Sequence, residues 1–121
     1  MQIINRTPHD IVIDPRGGKR ITLSADPANL ARVESSALAC TPLGGVPICS
    51  MRWGDIIGLP SPRKGVFHVV SVVVAAAACC NGRGASDLLV PGEQVRDPAG
   101  RIIGARSLAW AESSLPGLAD A

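Results

Sequence analysis

Two clusters of polar side chains in this 121-residue chain have the residue types and spacing to hold an anionic or nucleotide-like ligand. The first is Asn5, Arg6, Thr7, Pro8, His9 and Asp10, gathered where a strand is interrupted. Asn5 could read an amide or base edge, and Thr7 and His9 could donate to oxygens. The same residue types also build a turn that satisfies its own backbone, Thr and Asp side chains accepting from nearby amides. The second cluster is Arg96, Arg101 and Arg106 around Asp97-Pro98-Ala99-Gly100, a β-turn sequence. If the two flanking strands lie side by side, Arg96 and Arg106 converge as a charge-assisted fork for phosphate. If the register separates them, they are an exposed hairpin face. Arginine outnumbers lysine ten to two, which fits guanidinium recognition of carboxylate or phosphate and equally a GC-rich coding sequence.

Catalytic chemistry has no comparable foothold. The histidines are His9 and His68, and the chain carries no H-E-x-x-H, Walker A, G-x-S-x-G or paired C-x-x-C motif. His68 falls within a β-branched stretch, where a hydrogen-bonded core or sheet-face histidine is expected. Cys40, Cys49, Cys79 and Cys80 match no structural zinc spacing, so neither a metal nor a cofactor is expected. The N-terminal residues lack the charged-then-apolar layout of a signal peptide. The expected setting is therefore cytoplasmic and reducing, with all four cysteines as thiols and Cys79 and Cys80 as small buried fillers.

Composition narrows the partners. Apolar residues make up 46% and charged residues 18%, the balance of a folded globule rather than a disordered tail. Net charge is +2 and aromatics are limited to Trp53, Phe67 and Trp110, so neither a phosphate-neutralising face nor a base-stacking platform is expected. The apolar run over residues 69–80 is about a dozen residues, too short for a bilayer about 30 Å thick.

The elements that must position these groups follow from periodicity. Residues 2–7 predict a first strand. Residues 9–14 and 20–24 alternate polar with apolar around Pro15-Arg16-Gly17-Gly18 and predict a hairpin. Residues 30–35 and 46–53 read as further strands, 37–40 as a strand continuation or a helical turn, and 54–65 as a surface loop. Residues 66–70 predict a central strand running into a helix near 71–80, because four consecutive alanines, Ala75 to Ala78, are strong helix formers. That helix is apolar all round and should be buried, so Val73→Asp is expected to unfold the protein. Residues 87–90, 94–97 and 101–109 predict short strands. The fold class is α+β: residues 1–111 as one domain, a bent antiparallel sheet of short strands on one Ala-rich helix, with 112–121 as a frayed tail.

The order of these blocks resembles a family of small phage, prophage and bacterial proteins that open with an Asn-Leu-Thr-Pro-His string. The matching blocks here are Ile3-Ile4-Asn5-Arg6-Thr7-Pro8-His9, Leu30-Ala31-Arg32-Val33, Gly54-Asp55-Ile56-Ile57-Gly58-Leu59-Pro60, Val69-Val70-Ser71 and Asp87-Leu88-Leu89-Val90-Pro91-Gly92. They are followed by Val95-Arg96-Asp97 and Gly100-Arg101-Ile102-Ile103-Gly104. Arg6 departs from the family's leucine. The resemblance implies an accessory protein of a mobile element. Such a protein could act as a homo-oligomeric sponge that sequesters a nucleotide-derived defence signal of the host, of ADP-ribose or cyclic-nucleotide type, without catalysis. Asn5, Thr7, His9, Arg96 and Arg106 would then be the ligand-binding residues. The alternative is a protein–protein interaction module or a phage regulatory or structural accessory.

Overall fold

The computed structural model describes residues 1–114. In chain order the strands are β1 (Gln2–Asn5), β2 (Ile11–Ile13), β3 (Ile21–Leu23), β4 (Arg32–Leu43), β5 (Val46–Ile57), β6 (Val66–Val69), β7 (Leu88–Pro91), β8 (Gln94–Arg96), β9 (Ile102–Ala105) and β10 (Leu108–Trp110). Helix α1 (Val72–Cys80) lies between β6 and β7, and the short α2 (Ala111–Ser114) follows β10. The fold is α+β and sheet-rich. Glu112, Ser113 and Ser114 are helical where a frayed tail was expected; the rest of that expectation, 115–121, lies outside the described residues.

The expected all-antiparallel sheet is corrected. One four-stranded sheet has the order β1-β6-β7-β10; β1 pairs β6 in parallel, β6 pairs β7 in parallel, and only β10 is antiparallel to its neighbour. The reason is the connection. Parallel neighbours need a crossover of a dozen or more residues, usually a helix, and α1 supplies it between β6 and β7. Strands covered on both sides read as continuous apolar runs, which is how Val69-Val70 and Leu88-Leu89-Val90 read.

Helix α1 starts at Ser71, whose side chain accepts from the Val74 amide at 3.3 Å. Its buried residues are Val74, Ala75, Ala77 and Ala78, of which Val74, Ala75 and Ala78 pack in a core with Val70, Ala85, Leu88 and Val90. Val73 is 42% exposed and Val74 is 3% exposed, so the burial expected of the whole helix holds for one side of it only. The unfolding expected of Val73→Asp moves to Val74.

A second four-stranded sheet has the order β3-β2-β9-β8. It contains the expected hairpin, Ile11 opposite Leu23 and Ile13 opposite Ile21. It also contains the expected turn at 97–100, where Asp97 Oδ1 accepts from the Ala99 and Arg101 amides, each at 2.9 Å.

The remaining sheet is a two-stranded ribbon, β4 with β5, twelve residues each, which we call the arm. Gly44 and Gly45 turn it with φ of 56° and 82°; two successive positive values are what a type I′ hairpin turn requires, and only glycine takes them freely. That turn sets Leu43 opposite Val46 and Cys40 opposite Cys49. Cys40 and Cys49 form a disulfide, so the expectation of thiols is corrected for these two and kept for Cys79 and Cys80. Alkylation of protein purified without reductant and then unfolded should modify two cysteines, read by mass. Four modified cysteines would contradict the disulfide.

Candidate functional site

The corner after β1 is built around Asn5, which is buried. Its Nδ2 donates to the His9 carbonyl at 2.8 Å and the Leu23 carbonyl at 2.9 Å. Its Oδ1 accepts from the Thr7 amide at 2.9 Å and the Thr7 hydroxyl at 2.7 Å. Both amide hydrogens and both lone pairs are therefore engaged, and Asn5 works as the clamp between the β1 corner and the end of β3. The Thr7 hydroxyl faces inward to Asn5 and to the His9 carbonyl, 3.0 Å away. His9 is exposed, on the rim of a groove of about 380 Å³ whose floor and walls include Asp10, Ile11, Pro91, Ile102 and Ile103.

Arg96 and Arg106 do not converge. Arg96 pairs with Ile102 and Gln94 with Ala105, while the Arg106 amide donates to the Glu93 carbonyl, so the two arginines stand at opposite ends of the β8–β9 ladder. Arg96 donates to the Gly100 carbonyl at 2.7 Å and Gln94 Oε1 at 3.0 Å. Arg106 donates to the Asp14 carbonyl at 3.2 Å, with Asp14 Oδ2 3.8 Å away. Arg101 lies 3.3 Å from Asp97. Neither Arg96 nor Arg106 lines the groove beside His9.

Sequence reasoning missed the most buried polar network. His68 on β6 is 1% exposed, and its Nδ1 accepts from Arg6 Nε at 3.1 Å, which fixes the hydrogen on Nε2. Nε2 has no hydrogen-bond partner, and its nearest acceptor, Asp87 Oδ2, is 3.8 Å away. Asp87 is buried too, held bidentately by Arg83 at 2.9 and 2.8 Å. Arg83 also donates to the Pro60 and Gly84 carbonyls, tying the 59–62 loop to the end of α1. Only the i, i+4 spacing of Arg83 and Asp87 was visible beforehand; the register His68 opposite Leu88 brings in the rest.

Burial holds the His68 imidazole below its ordinary value; Arg6 and Arg83 push the same way and Asp87 opposes them. The folded state therefore keeps His68 neutral while the unfolded chain protonates near pH 6.5, so acid is taken up on unfolding and stability falls as pH drops below about 6.5. The melting temperature of the wild type should decline from pH 7 to pH 5.5 more steeply than that of His68→Gln. Equal slopes would place the acid sensitivity elsewhere.

The other feature outside the expected site is the arm. Its residues from 34 to 48 are all exposed. Directly paired residues share a face, so Leu43, Val46, Thr41 and Ile48 lie on one side and Pro42, Pro47, Met51 and Trp53 on the other with the disulfide. Leu43 is 73% exposed, and Val46, Ile48, Met51 and Trp53 are exposed as well. At the arm's foot Glu34, Arg52 and Asp55 edge a cleft of about 640 Å³, and none of the three forms an ion pair among the described residues.

Among the described residues no group of three or more His, Cys, Asp or Glu side chains is placed to hold a metal ion, and no helix is long and apolar enough to cross a membrane. Comparison with protein families, with curated proteins and with solved structures found no match for this chain.

Proposed function

We propose that the protein is a non-enzymatic protein–protein interaction module whose working surface is the β4–β5 arm. The observation that carries this reading is the exposure of Leu43, Val46, Ile48, Met51 and Trp53 together on one projecting ribbon. Isolated two-stranded hairpins are marginal in water, and this one carries exposed apolar side chains on both faces, Leu43, Val46 and Ile48 on one and Met51 and Trp53 on the other, which supports a ribbon that is covered in use. The polar clusters support the same reading: Asn5 and Thr7 are spent on their own turn, and Arg96 and Arg106 bond to carbonyls of their own chain. A photo-crosslinking residue at Ile48 should give defined covalent adducts in expressing cells, while one at Ile21, equally exposed on the body, should not. Equal yields from both positions would count against the arm.

A second reading has its own observation, the groove beside His9. Sequestration of a nucleotide-derived signal of ADP-ribose or cyclic type would use that groove for the base, with His9 on its rim, and would have to extend beyond it for Arg96 or Arg106 to meet phosphate, since neither lines the groove. Calorimetry with such ligands should then show binding weakened about ten- to a hundredfold by Arg96→Ala or Arg106→Ala. No heat from the folded wild type would remove this reading.

A further inference from the structure

We infer that the Cys40–Cys49 disulfide is a redox switch for the arm: a dithiol donor opens it, and opening it releases the outer arm while the body keeps its fold. The effect on partner binding rests on the reading of the arm as the working surface; the release of the arm does not.

The place of the bond in the ladder carries the inference. Pro42 lies opposite Pro47, and two prolines cannot exchange N–H bonds, so theirs is a non-hydrogen-bonded pair. By alternation Cys40 and Cys49 form the next such pair towards the foot, and beyond them only Thr41 with Ile48 and Leu43 with Val46 can exchange hydrogen bonds. On the foot side the ladder shifts register between Ala37 and Ala39, leaving Leu38 without a partner. The disulfide thus stands between a bulge and a proline-bearing tip, where the backbone holds β4 to β5 least.

Nothing else takes over when the bond opens. Residues 34–48 are all exposed, so no core lies under this part of the ribbon. A hairpin with two hydrogen-bonded pairs is marginal in water, and reduction removes the constraint on a sequence separation of nine. The release ends at the foot, where Val33 and Ile56 pair with each other and pack against the core.

The chemistry is thiol–disulfide exchange. Cys40 is exposed and Cys49 half-buried, so the sulfur open to attack is Cys40 Sγ. The donor's thiolate bonds to Cys40 Sγ, the S–S bond breaks, and Cys49 Sγ leaves as a thiolate that takes a proton. The donor's second thiol then displaces Cys40 Sγ, which is protonated in turn, and the donor is left as a disulfide. Two electrons and two protons pass from donor to arm. Exposed disulfides that lock no core are the labile, regulatory kind.

Hydrogen exchange of native protein, oxidised and after dithiothreitol, tests the inference. Reduction should raise the cysteines alkylated after quenching and unfolding from two to four, read by mass. The amides of Thr41, Leu43, Val46 and Ile48 should then exchange at least about tenfold faster, and those of Leu88 and Leu89 on β7 should not change. The double variant Cys40→Ser with Cys49→Ser should match the reduced protein. Four alkylated cysteines with unchanged arm exchange, or a bond that stays closed to dithiothreitol in the native protein, overturns the inference. Photo-crosslinking from Ile48 in dialysed cell extract should give several-fold fewer adducts with the double variant than with oxidised wild type, and equal adduct yields overturn the control of binding. A released arm with no adducts from Ile48 in either state leaves the switch in place and removes the interaction reading instead.

Discussion

Arg83→Ala is expected to destabilise the protein by about 3–5 kcal/mol, the usual cost of leaving one member of a buried ion pair unpaired. Asp87 would be left facing His68, 3.8 Å away. That imidazole is neutral, and its Nε2 is too far for a hydrogen bond. The same change strands the Pro60 and Gly84 carbonyls that the guanidinium now serves. Asp87→Asn should cost less, because the amide keeps one acceptor for Arg83 and removes the buried charge. Replacing both partners by apolar residues, Arg83→Met with Asp87→Leu, should cost much less than the sum of the single losses. Urea unfolding of the four proteins gives the comparison. A loss below about 1 kcal/mol for Arg83→Ala would mean the pair is solvated like a surface ion pair.

The second large effect contrasts neighbours on α1. Val74→Asp should lower stability by several kcal/mol, because position 74 sits in the core cluster with Val70, Leu88 and Val90 and offers a carboxylate no partner. Val73→Asp should fall within about 1 kcal/mol of wild type: its side chain is partly in water, and a carboxylate in the first helical turn is favoured by the helix dipole. Against a total stability of about 5–15 kcal/mol, the first substitution threatens folding and the second does not. Thermal melts would separate them. Equal losses would contradict the burial register of α1.

What the sequence disclosed and what it hid follow from range. The 9–24 hairpin and the 97–100 turn were legible because period-2 alternation and turn residues are local signals, and the helix was legible from its alanine run. The corner at Asn5, Thr7 and His9 read either as a self-satisfied turn or as a ligand contact; its bonds among these three residues span two to four residues, while the bond from Asn5 to the Leu23 carbonyl spans eighteen and was hidden. Strand direction was misread, although a strand, a helix and a strand at 66–90 already spelled a parallel unit. The arm was underread because Pro42 and Pro47 look like breaks, while Gly44-Gly45 is a two-residue hairpin signal that places Cys40 opposite Cys49. The Arg6–His68–Asp87–Arg83 network was hidden, because it depends on three strands meeting in one register. Arg96 and Arg106 were brought to one hairpin, as expected, and separated by its register, which alternation alone does not fix.

The disulfide bears on the arm directly. It closes a span of nine residues across the ribbon, and the chain-entropy model gives about 3 kcal/mol for a loop of roughly that size. That stiffening falls where the ribbon has no core beneath it, which suits an arm that must keep its shape until it is covered.

The most direct measurement of the central claim is oxidative footprinting of Met51 and Trp53 in expressing cells and in dilute purified protein. Both side chains are exposed in the isolated chain and should be labelled readily when it is dilute. If the arm is an interaction surface, labelling of both in cells should fall several-fold relative to Trp110, which is exposed on the body. Equal labelling of Met51, Trp53 and Trp110 under both conditions would contradict the account.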